Sequence, residues 1–358
     1  MIFSIVIGIV FIWMIFLGSL LFIKTKKKDQ LSDKQPFVSI LIALRNEESQ
    51  VQELCESLND LSYPSSKYEI LFGDDDSQDH TLKLLEKYQP ENAKVISFDE
   101  KESGAFGKQK ILAELSKLAR GDYFLFTDAD MLFQPNWIEG SLSGVSDRNE
   151  LIVGLTTVSN SNWQSSIQNL DWLFNQYIIS CFSKLGIFPT AWGNNMLISR
   201  KNYEAVGGHQ SLEPTVVEDV ALLRALVANG GELVVNENAA AVATTKPITT
   251  MMGLLHQRKR WMQGLVGLNP SVILTGIVKL LFWPALIVLS FYGLPWLVLG
   301  LITIIIKMVI LKRMSKITKS RFSLIHLLLF EIYDFVFYFF TFVFYVLPID
   351  LKWKGRRY

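Results

Sequence analysis

The sequence predicts an α/β domain held to a membrane by apolar segments near both ends of the chain. Three observations carry that expectation. Between Pro36 and Pro270, short apolar runs alternate with polar stretches of helical period. Uncharged or nearly uncharged stretches flank this middle: Met1 to Ile23 has no charge, and Ser271 to Leu311 has only Lys279 and Lys307. Half of the 358 residues are hydrophobic at a formal net charge of +1. That is too apolar for one soluble domain and fits roughly 200–250 soluble residues plus membrane segments.

The first element is a membrane anchor over residues 1–23. About 20 apolar residues span the hydrocarbon. Lys24, Lys26, Lys27 and Lys28 follow at once, and basic residues beside a span favour the cytoplasmic side. A cleaved signal peptide would carry basic residues before the apolar run and small residues after it. Met1-Ile2-Phe3-Ser4 and Ile23-Lys24-Thr25-Lys26 supply neither.

The middle, residues 36–270, reads as alternating strands and helices. Val38 to Leu44 is a buried strand. Glu47 to Leu61 is a helix with Val51, Leu54, Leu58 and Leu61 on one face. Tyr68 to Gly73 is a second strand, ending in Asp74-Asp75-Asp76. Thr81 to Tyr88 is helical, Lys94 to Phe98 is a third strand, and Gly107 to Ala119 is a helix. Tyr123 to Phe126 is a fourth strand, ending in Thr127-Asp128-Ala129-Asp130. This alternation implies a parallel, doubly wound sheet, in which ligands bind beyond the carboxyl ends of the strands. Both acidic clusters fall at such ends.

The C-terminal part, 271–347, reads as a helical hairpin over 273–291 and 295–311, turning near Gly293 and Pro295, and a third hydrophobic stretch from Phe322 to Leu347. Lys312, Arg313, Lys316, Lys319 and Arg321 make the intervening loop basic, and the tail, 348–358, is basic too. One full span between two basic loops puts one of them outside. Either the last stretch is re-entrant or the tail departs from the charge rule. Glu331 and Asp334 lie inside that stretch, where charges face protein or water.

The near-zero net charge excludes a nucleic-acid binder that works through a broad basic surface. Cys55 and Cys181 are too few and too far apart for a zinc site and read as buried thiols.

Asp128 and Asp130, one residue apart beyond a strand, suit Mg2+ or Mn2+, which take oxygen ligands and share carboxylates with substrate phosphates. Alone, the pair is also an ordinary solvated turn. The Glu218-Asp219 pair alone fits a helix N-terminal turn. Gln257, Arg260 and Trp261 share one helical face by their spacing. The segment Gln257-Arg258-Lys259-Arg260-Trp261 also suits a basic helix lying on anionic lipid, a role expected of Arg258 and Lys259.

Together, over residues 37–265, these motifs resemble the family 2 glycosyltransferases with a GT-A fold. Val38-Ser39-Ile40-Leu41-Ile42-Ala43-Leu44-Arg45-Asn46-Glu47-Glu48 is similar to the family's opening strand and nucleotide-contacting loop. Residues 69–81 resemble its second motif, with Asp76 where glycine is usual and His80 where a second glycine is common. The resemblance implies that Arg45, Glu47, Asp74 and Asp75 contact the nucleotide of a UDP-sugar, with Lys108 near it. It implies Mn2+ or Mg2+ on Asp130, with Asp128 a second ligand or nearer the ribose. It implies Asp219 as the base that takes the acceptor proton, positioned by Glu218. Gln257, Arg260 and Trp261 would serve the diphosphate or acceptor. Trp192 and Asn194, in a glycine-containing loop, would contact the acceptor, although core packing suits Trp192 equally. His209 or His256 could complete a metal shell, with packing the more ordinary role.

The implied activity is inverting transfer from a UDP-sugar to a lipid or lipid-linked acceptor, by a multi-pass cell-membrane protein whose catalytic domain faces the cytoplasm. The rivals are a processive polysaccharide synthase, a nucleotidyltransferase and a non-catalytic membrane scaffold or small transporter. Leu44-Arg45-Asn46-Glu47 has no glycine for the phosphate loop that a nucleotidyltransferase would want.

Overall fold

A computed structural model describes residues 2–23, 35–99, 107–146, 148–264, 269–353 and 356–357. Lys24, Lys26, Lys27 and Lys28, on which the expected orientation rests, lie outside the described residues, as do residues 354, 355 and 358 of the tail. The chain divides into two compact units. A sheet unit comprises Lys27–Ser159, Thr190–Pro247 and Asp350–Tyr358, and a helical unit comprises Met1–Lys26, Asn160–Pro189 and Ile248–Ile349.

The sheet unit contains β1 (Val38–Leu44), β2 (Tyr68–Asp75), β3 (Ala93–Phe98), β4 (Tyr123–Thr127), β5 (Met131–Phe133), β6 (Glu150–Gly154), β7 (Thr156–Val158), β8 (Asn195–Ser199), β9 (Glu232–Asn236) and β10 (Ala243–Thr245). Seven strands form one sheet in the order β3-β2-β1-β4-β8-β6-β9, and β5-β10-β7 form a second. β3, β2, β1 and β4 are parallel, as the alternation predicts. The sheet as a whole is mixed, because β8 runs antiparallel to both β4 and β6. β8 is not reached by a short βαβ crossover but by a long excursion through residues 159–194, and nothing then forces it parallel.

The core explains why these segments fold as they do. Val51, Leu54, Cys55 and Leu58 recur at helical spacing on helix Val51–Asn59 and bury against Ile40, Ile42, Phe72 and Leu125 of the sheet. This helix starts later than the expected Glu47. Residues 47–50 form a turn in which the Gln50 and Val51 amides donate to the Glu47 carbonyl, after Asn46 enters the left-handed region at φ 54°.

Among the described residues, the helical unit holds four helices long and apolar enough to cross a membrane: Ile2–Leu20, Pro270–Ser290, Leu294–Thr318 and Leu324–Val346. The expected hairpin forms. Its turn is at Gly293, whose φ of 143° suits glycine, and Pro295 stands in the first turn of the next helix. Both arms are longer than expected, and the second continues through Lys312, Arg313 and Lys316 to Thr318. The last stretch is one unbroken helix of 23 residues.

The charges inside these helices face protein. Lys307 Nζ lies 2.9 Å from Glu331 Oε2 and 2.9 Å from Asp334 Oδ2, and Lys279 Nζ lies 2.7 Å from Asp334 Oδ1. Two cations and two anions from three helices thus compensate one another, as buried charges in hydrocarbon require. Both lysines also stand over the ring of Phe174, at 5.5 and 5.2 Å. Phe174 belongs to helix Trp163–Lys184, which is capped by Asn162 and Ser165. The buried polar side chains of that helix are matched. Gln168 exchanges hydrogen bonds with the backbone of Ile248, Asn169 donates to Ser320, and Asp171 pairs with Arg258.

Candidate active site

The loops after β1 and β2 are laced together. Arg45 Nη1 donates to the Asp75 carbonyl at 2.6 Å. The Asn46 amide donates to Ser77 Oγ, and the Gln78 amide donates back to Asn46 Oδ1. The buried Glu47 is fixed through its amide, which donates to Thr81 Oγ1 at 2.7 Å. Asp74 accepts from the amide and the hydroxyl of Ser77, at 3.1 and 2.6 Å, so its carboxylate shapes the loop. Asp76, the departure from the usual glycine, has φ 52°. That is left-handed backbone, which aspartate tolerates better than most residues. Asp74 and Asp75 are both buried at the end of β2.

β4 ends at Thr127 and delivers Asp128 and Asp130 on either side of the buried Ala129. Asp130 Oδ2 accepts from Thr245 Oγ1 at 3.1 Å, on β10. Asp128 Oδ1 lies 2.7 Å from Lys108 Nζ, and the same ammonium lies 2.7 Å from Glu218 Oε1. Lys108 is the second residue of helix Gly107–Leu118, where the helix dipole disfavours a cation. The two carboxylates therefore hold it there. Burial pushes the Lys108 amine down, but Asp128 and Glu218 outweigh it and raise it above the ordinary lysine range.

Glu218 and Asp219 open helix Glu218–Ala228, where the dipole favours acids. Asp219 Oδ2 accepts from the Gly193 amide at 2.8 Å, and Oδ1 accepts from the Val220 amide at 2.8 Å. The Asp219 carboxylate is thus tied to the loop before β8. In that loop, the half-buried Trp192 donates through Nε1 to the Gly154 carbonyl at 2.7 Å. The buried Asn194 accepts from Thr156 at Oδ1 and from Thr127 at its carbonyl. The sheet unit so brings Lys108, Asp128, Glu218, Asp219, Gly193 and Asn194 into one connected network.

His209 is buried, packs edge-to-face with Phe126 and contacts Tyr203 Oη through Nδ1 at 3.0 Å. Burial pushes its imidazole down to about 4, with Lys108 acting in the same direction and Glu218 against it. His256 sits edge-on to Phe344 at 5.2 Å in the helical unit.

Gln257, Arg260 and Trp261 lie half-buried on helix Met251–Gln263 of the helical unit. Trp261 packs edge-on against Trp172 at 5.2 Å. The expectation that Arg258 and Lys259 rest on lipid is overturned, because both are buried. Arg258 pairs with Asp171 and stacks over Trp261 at 4.1 Å. Lys259 Nζ donates to the Phe344 and Leu347 carbonyls at 3.2 and 2.9 Å. The last carbonyls of a helix have no partner within it, so Lys259 caps helix Leu324–Val346. That need for partners outweighs contact with lipid headgroups.

Among the described residues, no group of three or more His, Cys, Asp or Glu converges as a closed metal cage. The all-oxygen pair Asp128 and Asp130 fits a hard divalent cation that takes one or two carboxylates and completes its shell with phosphate and water.

A family model described as glycosyl transferase family 21 matches residues 1–358. A beta-monoglucosyldiacylglycerol synthase of Trichormus variabilis is 27% identical over 246 residues, covering 66% of this chain and 50% of its own. Glycosyltransferase AglE of Haloferax volcanii is 26% identical over 175 residues, covering 48% of this chain and 55% of its own. The chain thus spans about half the length of these curated relatives. Among solved structures, the mannosyltransferase PcManGT from Pyrobaculum calidifontis, in complex with GDP-Man and Mn2+, aligns with a TM-score of 0.59 at 16% identity, covering 93% of this chain and 99% of that one. At that identity the likeness establishes the fold.

Proposed function

The chain belongs to glycosyl transferase family 21, and from that premise we propose that it moves a sugar from a nucleotide-sugar, UDP-linked, to a lipid or lipid-linked hydroxyl at the cytoplasmic membrane face, with inversion. The glycosyltransferase class read from the motifs stands, and the family model that matches is family 21. The observation that carries the reading is the network at the carboxyl end of the central strand β4, where one ammonium bridges Asp128 and Glu218 beside the anchored carboxylate of Asp219. The names of the glucosyldiacylglycerol synthases and the four apolar helices support a lipid acceptor.

In this reading Arg45, Glu47, Asp74 and Asp75 form the nucleotide cradle, stiffened by the crossed bonds between the two loops. Lys108 faces the diphosphate. Asp130 and Asp128 hold Mn2+ or Mg2+, which neutralises the charge of the leaving diphosphate when bound. The mannosyltransferase of the same fold, with GDP-Man and Mn2+, supports that choice. Asp219 takes the acceptor proton as the acceptor oxygen bonds to the anomeric carbon and the bond from that carbon to the diphosphate oxygen breaks. Nucleoside diphosphate leaves. By their motifs, Gln257, Arg260 and Trp261 are assigned to the acceptor or diphosphate, and Trp192 and Asn194 to the acceptor.

Purified protein given a panel of nucleotide-sugars, Mn2+ and extracted membrane lipids should release UDP and yield a glycolipid by mass spectrometry. Asp130→Ala should abolish both signals. Undiminished turnover by that variant sinks the assignment, and long polymeric product would replace single addition with processive synthesis.

A further inference from the structure

The residues between helix Arg200–Ala205 and the Glu218-Asp219 pair form an irregular segment. It opens with two consecutive glycines in the left-handed region, Gly207 at φ 78° and Gly208 at φ 60°. Its only regular piece is a short turn over His209–Ser211, and residues 210–214 are exposed or half-exposed. Such a segment has little packing of its own with which to fix the acid pair at its end. One buried side chain supplies the fixation. Gln109 Nε2 donates to the His209 carbonyl at 3.1 Å and to the Leu212 carbonyl at 3.0 Å, and its Oε1 accepts from the Thr215 amide at 3.0 Å. Gln109 is 6% exposed. Three of the four hydrogen bonds a glutamine amide can form at its two donors and one acceptor oxygen are therefore spent on this segment.

A second set of contacts holds the start of the segment to the same helix. Tyr203 Oη accepts from the His209 amide at 2.9 Å and stands 2.9 Å from Ser116 Oγ, on helix Gly107–Leu118. That helix also carries Lys108, whose ammonium meets Glu218. One helix thus presents the cation of the site at Lys108 and grips, from Gln109, the backbone that leads to Glu218 and Asp219.

We propose that Gln109 is a positioning residue: it anchors residues 209–217 to the Lys108 helix and so sets where Glu218 and Asp219 stand. This rests on the proposed function for its kinetic consequence and on the hydrogen bonds alone for its structural one. Gln109 touches no reacting group; it acts through the backbone between itself and the acid pair. Misplacing a reacting group by about 1 Å costs roughly 10²-fold in rate.

The test uses the full-length protein and two variants. Gln109→Met keeps length and bulk and removes all three bonds. Gln109→Glu keeps an acceptor for the Thr215 amide and removes both donors. Hydrogen–deuterium exchange should accelerate across residues 209–219 in Gln109→Met and stay unchanged in β1 and β4. Per folded molecule, kcat should fall roughly 10²-fold with the donor KM nearly constant, and Gln109→Glu, which sets a carboxylate oxygen against the His209 and Leu212 carbonyls, should fall at least as far. Unchanged exchange over 209–219, or a rate loss that only tracks the folded fraction, overturns the proposal. A wild-type enzyme that transfers no sugar from any donor overturns the functional reading instead, and the exchange data still decide the anchoring.

Discussion

Lys108 Nζ lies 2.7 Å from Glu218 Oε1, so a lysine near the start of one helix is joined to the first residue of another 110 positions on. The same nitrogen reaches Asp128 at the end of β4. The contact ties the acid pair to the carboxyl end of β4. Lys108→Met leaves Asp128 and Glu218 without their shared cation, and UDP release should drop by about 10²-fold in kcat/KM, the scale of losing one electrostatic contact at a reacting centre. Lys108→Arg should not restore it, because a planar fork does not replace a compact ammonium between two carboxylates.

Asp219→Asn should lower kcat by roughly 10²–10⁴-fold, the range for loss of a general base. The amide oxygen can still accept from Gly193 or Val220, so the local fold should survive. Donor affinity, read by isothermal titration with UDP, should stay near wild type. Retained turnover would reassign the base.

His209 gives the sheet unit an acid-sensitive limb. Its imidazole titrates near 6.5 unfolded but near 4 in place, because burial opposes the charge. Between those values the unfolded chain binds more protons, so stability falls as pH drops from about 6.5 towards 4. Above 6.5 the contribution is flat. At pH 5 the loss relative to pH 7 is about 2 kcal/mol. His209→Asn, which keeps a donor near the Nδ1 position, should flatten the shift in Tm between pH 7 and pH 5 in detergent. An unchanged shift would assign the acid limb to other groups.

Much of this architecture was legible in the sequence, for identifiable reasons. β1, β2 and β4 are continuous apolar runs buried in the sheet core, and such runs reveal themselves. The acidic clusters were legible because strand ends are easily located. The antiparallel β8 was not, since its direction depends on the long route before it. Helix Trp163–Lys184 went unnoticed because its buried Gln168, Asn169 and Asp171 look like surface residues until Ile248, Ser320 and Arg258 are seen to satisfy them. Arg258 and Lys259 misled for the same reason. A basic pair reads as a solvent or lipid face when its partners lie 87 and 85 residues away. Gln109 carried no motif; only the irregular segment it grips gives it meaning.

The Arg258–Asp171 pair makes a stability prediction. Arg258→Met strands a buried carboxylate, which costs about 3–5 kcal/mol. The double variant Arg258→Met, Asp171→Leu should recover most of that loss in Tm, because no uncompensated charge remains. If the single variant is as stable as wild type, the pair contributes nothing to the helical unit.

The lysine–carboxylate cluster of the helical unit has a consequence in time. Helix Leu324–Val346 carries Glu331 and Asp334, and an unpaired charge at the centre of a span costs roughly 2.5–3.5 kcal/mol or more. Its counter-charges, Lys279 and Lys307, are synthesised first; Lys307 precedes Glu331 by 24 residues. The last helix is therefore synthesised after both of the lysines that balance its acids. Chain order thus puts the cations ahead of the acids: a molecule whose hairpin is misfolded leaves Glu331 and Asp334 without their counter-charges.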